Sequence, residues 1–273
     1  MSYILTFDGT LEESVERVRR EQLEAAADGL REEISTESIH DARKRVKKTR
    51  ALLRLARPKG RRAHNRALRD AARTLSGARD ADVMVETIDD LAERYSGQLP
   101  KREFERVREP LAAQAAATAP EGSADALAPL VGIEWQVGDV DPAEALTRTY
   151  VRGRDDFKTV LEDPTSEQLH EWRKRVKNLW YQQQLLEELW PEVMKAQAKE
   201  AKKLSKQLGE DHDLAVLTDL LRSDPSLDGD ELLPLIAKRR KQLLRRMRKR
   251  GRRVYAEKPK HFARRVRRYV ELV

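Results

Sequence analysis

The spacing of apolar and polar residues along this chain is helical, and capping residues mark where the helices begin. Thr10 and Glu13 have capping-box spacing and predict a first helix that runs to about Ile34. Thr36 is placed to cap a second helix that ends near Pro58. Three more helices are expected before the next break, ending near residues 77, 97 and 117.

Helical periodicity is lost between residues 118 and 140, where proline and glycine recur. Such a stretch is typical of a linker or domain junction. The helical pattern restarts at Asp141 and Pro142, an N-cap acid followed by proline at the first helical position. Further helices are predicted at about 142–161, 166–190, 191–208, 213–222, 231–257 and 259–272.

Two segments of the chain match each other without a gap. Residues 40–48 read HDARKRVKK and residues 170–178 read HEWRKRVKN. A second pair of matching segments follows, at 75–80 and 208–213. Two matches in the same order indicate an internal repeat. We therefore predict an all-α fold of two helical bundles related by a pseudo-two-fold axis, with a first half at 1–117, a linker at 118–140 and a second half at 141–273.

The repeated helix carries a basic stripe beside its apolar stripe. At about 100° per residue, five polar residues of the first copy fall within a sector of about 80°. They are His40, Arg43, Lys47, Arg50 and Arg54. The apolar stripe lies about 100° away and can pack against other helices. In the second copy the basic stripe consists of His170, Arg173 and Lys177, and Trp180 follows them.

Basic residues at helical spacing also occur on later helices. In the first half they are Arg66, Arg69 and Arg73, and in the second half they are Lys199, Lys202 and Lys206. The helix predicted at 231–257 adds Lys238, Lys241, Arg245 and Arg248 along one face. Like charges at these spacings repel each other, and these faces lack compensating acids. We therefore interpret them, together with the two basic stripes, as a binding surface for a polyanion.

Other charged residues are expected to have structural roles. Charges on exposed helix faces are usually solvated and contribute little to stability. Four cations beside the stripes are interpreted in this way: Arg45, Lys48, Lys174 and Arg175. Four aspartates stand where helices are predicted to begin and are interpreted as N-caps: Asp80, Asp82, Asp211 and Asp213.

The composition is that of a basic protein with charged helices. The 273 residues include 55 lysines and arginines against 47 aspartates and glutamates, a formal net charge of +8. Cysteine is absent, which excludes disulfide frameworks and thiolate metal sites. No apolar run approaches the ~20 residues that a membrane span needs, and the first residues have no targeting pattern. We expect a soluble, cytoplasmic protein without membrane attachment.

The doubled motif resembles the CHAD family, the conserved histidine α-helical domain. Its signature is similar to His40, Arg43 and Lys47, and again to His170, Arg173 and Lys177; residues 255–265 also resemble the family's C-terminus. The resemblance spans nearly the whole chain. It implies two helical bundles and binding of inorganic polyphosphate in a basic groove or pore that both histidine-bearing helices line. Trp180 stands where a cation is expected, which implies weaker binding at that end.

Binding of such a ligand requires no reaction. Linear polyphosphate presents closely spaced negative charges and no bases, so many cationic donors at helical spacing suit it. His40 and His170 hold equivalent places, and binding should strengthen at modestly acidic pH if they take part. The other histidines, His64, His212 and His261, are expected to be structural. The expected function is non-enzymatic and needs no cofactor or metal; association with polyphosphate granules follows from the ligand.

Two alternatives remain open. The same stripes would support binding to the backbone of DNA or RNA, although aromatic residues form only 5% of the chain and offer few stacking surfaces. A metal-dependent phosphohydrolase could use the histidines and aspartates, but the sequence has no third ligand at characteristic spacing and no glycine-rich phosphate loop. The sequence does not indicate the oligomeric state, the length of bound polyphosphate or a partner protein.

Overall fold

The regular elements of this protein are helices throughout the part of the chain that the structure describes. The computed structural model describes residues 3–75, 77–117, 124–138 and 140–273, with the backbone alone at 77–80 and 124. The helices are α1 (Leu11–Glu32), α2 (Thr36–Ala56), α3 (Arg61–Thr74), α4 (Gly77–Arg94), α5 (Lys101–Ala117), α6 (Ala128–Val131), α7 (Pro142–Glu162), α8 (Ser166–Leu185), α9 (Pro191–Ser223), α10 (Leu233–Val254) and α11 (Pro259–Val270). The predicted all-α class is confirmed. Within these ranges, no helix is both long and apolar enough to cross a bilayer.

Capping side chains begin the first two helices. The Thr10 hydroxyl accepts a hydrogen bond from the Glu13 amide at 3.2 Å, and the Glu13 carboxylate accepts one from the Thr10 amide at 3.1 Å. This is the predicted capping box. The cap of α2 is Ser35 instead of Thr36, because the Ser35 hydroxyl accepts from the Ser38 amide at 3.2 Å.

The helices predicted at 191–208 and 213–222 form one continuous helix, α9. Asp211, predicted as an N-cap, lies inside this helix and is only 2% exposed. Its carboxylate accepts a hydrogen bond from Nε of Arg240 at 3.0 Å, so a contact with α10 satisfies it and no break is needed. The predicted break is therefore wrong. In the first half, α4 begins at Gly77, and the side chain of Asp80 lies outside the described residues.

Two helices, α2 and α8, occupy the centre of the packing. Helix α1 packs against α2, α7 packs against α8, and α2 contacts both α7 and α8. Helix α9 runs along α8 and also contacts α4 and α10. The buried apolar residues form one continuous cluster that includes residues of both α1 and α11. This packing holds α2 and α8 side by side, which positions the site described below.

A buried arginine joins the segment before α7 to α1. Arg19 is 2% exposed, and its Nη1 donates to the carbonyl oxygens of Leu130 at 2.8 Å and Val131 at 3.0 Å. The carboxylate of Glu16 forms an ion pair with the same guanidinium. A buried charge with several hydrogen-bond partners is costly to disturb, so this contact holds α6 against α1.

Candidate functional site

Helices α2 and α8 form the walls of a cleft of about 240 Å³ whose lining is dominated by cations. We call this cleft the central groove. Its lining residues are Lys47, Arg50, Arg54, His170, Arg173, Lys174, Arg175, Lys177, Asn178 and Tyr181. No carboxylate is among them. The groove thus joins part of the predicted basic stripe of α2 to the predicted stripe of α8.

The effect of these converging charges is clearest in the pKa of Lys177. Its pKa is lowered to about 7, first by burial and then by the positive charges of Lys47 and Arg173. Arg43 lowers the pKa further, and Asp213 opposes the shift. Burial and nearby cations both disfavour the charged form of an amine. Cations from both helices therefore act on one another across the central groove.

The two helices bury corresponding positions. Each residue from 41 to 56 is buried, half-buried or exposed in the same way as its counterpart from 171 to 186. Val46 and Val176 are fully buried, whereas Lys47 and Lys177, the next residues, are half-buried. Because successive residues of a helix are about 100° apart, each lysine lies beside the packed face and can reach the groove.

His170 lies on the groove beside a second histidine. The ring centroids of His170 and His212 are 4.6 Å apart. Burial, followed by the charges of Lys174 and Arg173, lowers the pKa of His170. Burial and then Arg173 lower the pKa of His212 to about 4. The ring of His212 is therefore neutral at pH 7, and protonation of His170 requires a more acidic solution than usual or a nearby anion.

The remaining residues of the α2 stripe differ in their surroundings. Nη1 of Arg43 donates to the carbonyl oxygen of Leu75 at 3.0 Å, which places this guanidinium beside the end of α3. Nε of Arg50 donates to Oδ1 of Asn65 at 3.2 Å. His40 is exposed near the start of α2 and is not a lining residue of the central groove. Of the α2 stripe, therefore, only Lys47, Arg50 and Arg54 line the groove.

The predicted cations of α3 lie at the surface. Arg66, Arg69 and Arg73 are all exposed. The guanidiniums of Arg69 and Arg73 are each 3.7 Å from the carboxylate of Asp70. The pKa of Arg50, a groove residue, is lowered first by burial and then by the charge of Arg69. Arg69 is therefore linked electrostatically to the groove.

The predicted cations of α9 are exposed as well. They are Lys199, Lys202 and Lys206. Nζ of Lys202 lies 5.6 Å from the ring centre of Trp180, a cation–π contact beside the groove wall. Lys206 lines a different cavity, of about 300 Å³, which lies between α4, α9 and α10 and also contains carboxylates.

The structure does not bring the basic face of α10 to the central groove. Lys238 donates to the side chain of Gln98 at 2.8 Å. Nη2 of Arg248 lies 3.3 Å from the carbonyl oxygen of Leu161 at the end of α7. Lys241 and Arg245 are exposed. Helix α10 packs against α9, which explains why these four cations meet other neighbours.

Four lining residues of the groove were not predicted as site residues. Lys174 and Arg175 were interpreted as solvated, and each does have an acidic partner: Glu171 at 2.5 Å and Asp156 at 3.3 Å. Asn178 accepts from Nη1 of Arg54 at 3.3 Å across the groove. The fourth residue, Tyr181, follows Lys177 by one helical turn, and this spacing was a usable signal.

The fold and the site together define a class of protein: an all-helical protein with a cation-lined groove between two histidine-bearing helices. Among the described residues, no group of three or more histidine, aspartate or glutamate side chains is arranged to hold a metal ion. The family model of the CHAD domain matches residues 17–222, and the chain belongs to this family. No curated protein shows significant sequence similarity to the chain.

Proposed function

We propose that this protein binds inorganic polyphosphate in the central groove without catalysing a reaction. The observation that carries the proposal is the convergence of Lys47 from α2 and Lys177 from α8 on one space, in which the pKa of Lys177 falls to about 7. Membership of the CHAD family supports polyphosphate as the ligand in general terms.

The chemistry of the groove suits a repeating anion. The lining combines lysines, which offer compact charges, with arginines, which offer planar forks that can donate two hydrogen bonds to one phosphate. A chain of phosphates would place successive negative charges beside cations of both walls and relieve their mutual repulsion. Each neutralised phosphate would release counterions, so binding should weaken steeply with salt, as it does for nucleic acids.

We also propose that the two halves of the chain are pseudo-two-fold-related bundles that contribute one wall each. The support is the residue-by-residue agreement in burial between 41–56 and 171–186. The pairing of α1 with α2 and of α7 with α8 is consistent with the same arrangement. The polyphosphate would then lie along a boundary between related halves, which gives both its walls similar cations.

A double substitution, K47Q/K177Q, tests the binding site. Hydrogen bonds to charged groups contribute about 1.5–3 kcal/mol each, so losing both lysines should weaken polyphosphate binding by at least about tenfold. The matched control is K249Q/K260Q, which removes two exposed lysines that do not line the groove. Equilibrium binding at 0.15 M salt should show near wild-type affinity for the control. Equal affinity of K47Q/K177Q and the wild type would refute the proposed site.

Competition experiments test the nature of the ligand. Duplex DNA and structured RNA, added at the same phosphate concentration and salt, should displace labelled polyphosphate less effectively than unlabelled polyphosphate does. If they displace it equally well, the groove is a general polyanion site. Release of orthophosphate from polyphosphate in the presence of Mg²⁺, Mn²⁺ or Zn²⁺ would contradict the non-catalytic part of the proposal, provided that substitution of Asp82 and Asp213, with the buried Asp211 left in place, abolishes it.

A further inference from the structure

A second basic cleft, of about 220 Å³, adjoins the central groove. It lies between the end of α2, the first turn of α3, the N-terminal half of α7 and the middle of α8. We call it the arginine cleft. Its cations are all arginines: Arg54, Arg57, Arg61, Arg148, Arg152 and Arg175. Thr149 and Asn178 add polar groups.

The positive charge of the arginine cleft is only partly neutralised. Arg148 pairs with Glu144, and Nε of Arg175 lies 3.3 Å from the carboxylate of Asp156. For the other four arginines, no carboxylate of the described residues lies within ion-pair distance. Like charges held together raise the energy of the folded chain unless a counter-anion is bound. The cleft therefore concentrates more positive charge than the folded chain itself compensates.

The positive charge of the cleft affects the pKa of Arg54, one of its lining residues. Its Nη1 donates to the carbonyl oxygen of Arg50 at 2.9 Å and to Oδ1 of Asn178 at 3.3 Å, so the guanidinium is fixed in place. Its pKa is lowered to about 10, mainly by burial and then by the charges of Arg50, Arg175 and Arg61. A guanidinium with this pKa remains charged at pH 7 and retains its capacity to bind an anion.

The size and chemistry of the cleft indicate a compact ligand. A volume of 220 Å³ is below the roughly 300–1,000 Å³ of sites for drug-sized molecules. At ~30 Å³ for each water-sized group, it has room for about seven such groups, which matches the seven oxygen atoms of a diphosphate; a triphosphate, with ten, would extend beyond the cleft. Guanidinium forks are the side-chain donors best matched to phosphate oxygens. We propose that the arginine cleft is a second binding site, for a compact oligophosphate group of two or three phosphates.

This site shares Arg54, Arg175 and Asn178 with the central groove, but its other four arginines lie outside the groove. When His40 is aligned with His170, Gln184 stands opposite Arg54 and Glu187 stands opposite Arg57. The other half of the chain thus lacks two of the cations that form the cleft. The arginine cleft takes Arg54, Arg57 and Arg61 from the first half and three more arginines from α7 and α8 of the second, but the matching positions of the repeat would not form a second cleft with the same cations.

The test uses two arginines that line the arginine cleft but not the central groove. Arg61 and Arg152 meet this condition, and neither has an ion-pair partner among the described residues. The variant R61Q/R152Q is made in the K47Q/K177Q background, so that groove binding does not hide the result. Tripolyphosphate is titrated calorimetrically. The matched control, R264Q/R267Q in the same background, removes two exposed arginines of α11.

Tripolyphosphate should bind the K47Q/K177Q protein, and R61Q/R152Q should weaken that binding by about tenfold or more, while R264Q/R267Q changes it by less than about twofold. Equal binding to all three proteins, or no binding to any of them, would overturn the proposal. Melting temperatures within a few degrees of each other would show that each variant is folded.

Two further probes identify the source of the phosphates. Long polyphosphate with free ends and long polyphosphate with blocked ends are each titrated into wild type and R61Q/R152Q. If R61Q/R152Q binds the free-ended chain more weakly than the wild type does, but binds the blocked chain equally well, the cleft takes the ends of polyphosphate chains. If the substitutions weaken the binding of tripolyphosphate alone, the cleft takes free oligophosphate. Failure of the central groove proposal can be told apart from failure of this one. In that case, K47Q/K177Q would bind long polyphosphate as tightly as the wild type does.

Discussion

Lys47 and Lys177 come from helices that are far apart in the sequence, yet the charge of Lys47 is, after burial, the largest cause that lowers the pKa of Lys177 to about 7. The fold thus keeps two lysines close together at a cost in stability. Such an arrangement is common at functional sites, where the ligand supplies the missing opposite charge.

Replacing Lys177 with methionine should stabilise the protein at neutral pH. The folded-state pKa of Lys177 lies below its unfolded value, so the unfolded chain binds more protons between pH 7 and about 10, and the free energy of unfolding rises with pH in that window. Lys177→Met removes this penalty, with an expected gain of at least about 1 kcal/mol at pH 7. Urea unfolding at several pH values measures it. The gain should shrink towards pH 10; a less stable variant at pH 7 would contradict the argument.

Polyphosphate binding should take up protons at pH 8. Lys177 is mostly neutral there in the free protein, and a bound phosphate favours its charged form, so up to about one proton should be absorbed for each site filled. Binding enthalpies measured in buffers with different ionisation enthalpies give this number. Lys177→Arg is the control, because arginine is charged in both states and should abolish the uptake. Zero uptake by the wild type at pH 8 would show that Lys177 does not meet the ligand.

Asp211→Asn should destabilise the fold strongly. The substitution removes the charge of a carboxylate that is 2% exposed and bonded to Arg240, and loss of one partner of a buried ion pair costs about 3–5 kcal/mol. Arg240 is partly solvated, so we expect a loss of about 2–3 kcal/mol in chemical denaturation. Asp155→Asn is the control, because its pair with Lys158 is exposed and should contribute less than about 1 kcal/mol.

Two glycine-to-alanine substitutions should have opposite effects. A Cβ on Gly251 in α10 would lie 2.5 Å from Cε2 of Phe157, a ring that is stacked on Trp172. Gly251→Ala should therefore cost about 1–3 kcal/mol through overpacking. A Cβ on Gly29 in α1 meets nothing within 4 Å, so Gly29→Ala should add up to about 1 kcal/mol from helix propensity. Thermal unfolding compares the two. A Gly251→Ala protein more stable than wild type would contradict the packing described.

Local signals in the sequence were sufficient for most helix boundaries. The capping box of Thr10 and the proline that begins α9 act within a few residues, and the structure has both. The break predicted inside α9 failed because Gly209 and Asp211 look like helix punctuation. Only the contact of Asp211 with Arg240 on α10 shows that they are not. That contact depends on tertiary packing, which periodicity does not report.

The same limit applies to the site. Helical periodicity gives the face of a helix on which a cation lies, and Lys47 and Lys177, which were predicted on the two basic stripes, both line the groove. It does not give the neighbour that the face meets, so Lys238 and Arg248 were grouped with the groove although they contact Gln98 and the end of α7. The arginine cleft was missed for the same reason, because its residues come from four different helices and the turn between two of them.

The length of α9 has a consequence for the proposed binding of polyphosphate. A helix of 33 residues is a rod of about 50 Å, and this one supports α8 along its length while α4 and α10 rest on it. Because α9 supports α8 in this way, we expect the α8 wall of the central groove to have the same shape with and without a bound anion. Little free energy is then lost in ordering the receptor, and capture of a long anionic chain should be governed by electrostatic encounter instead of by slow closure.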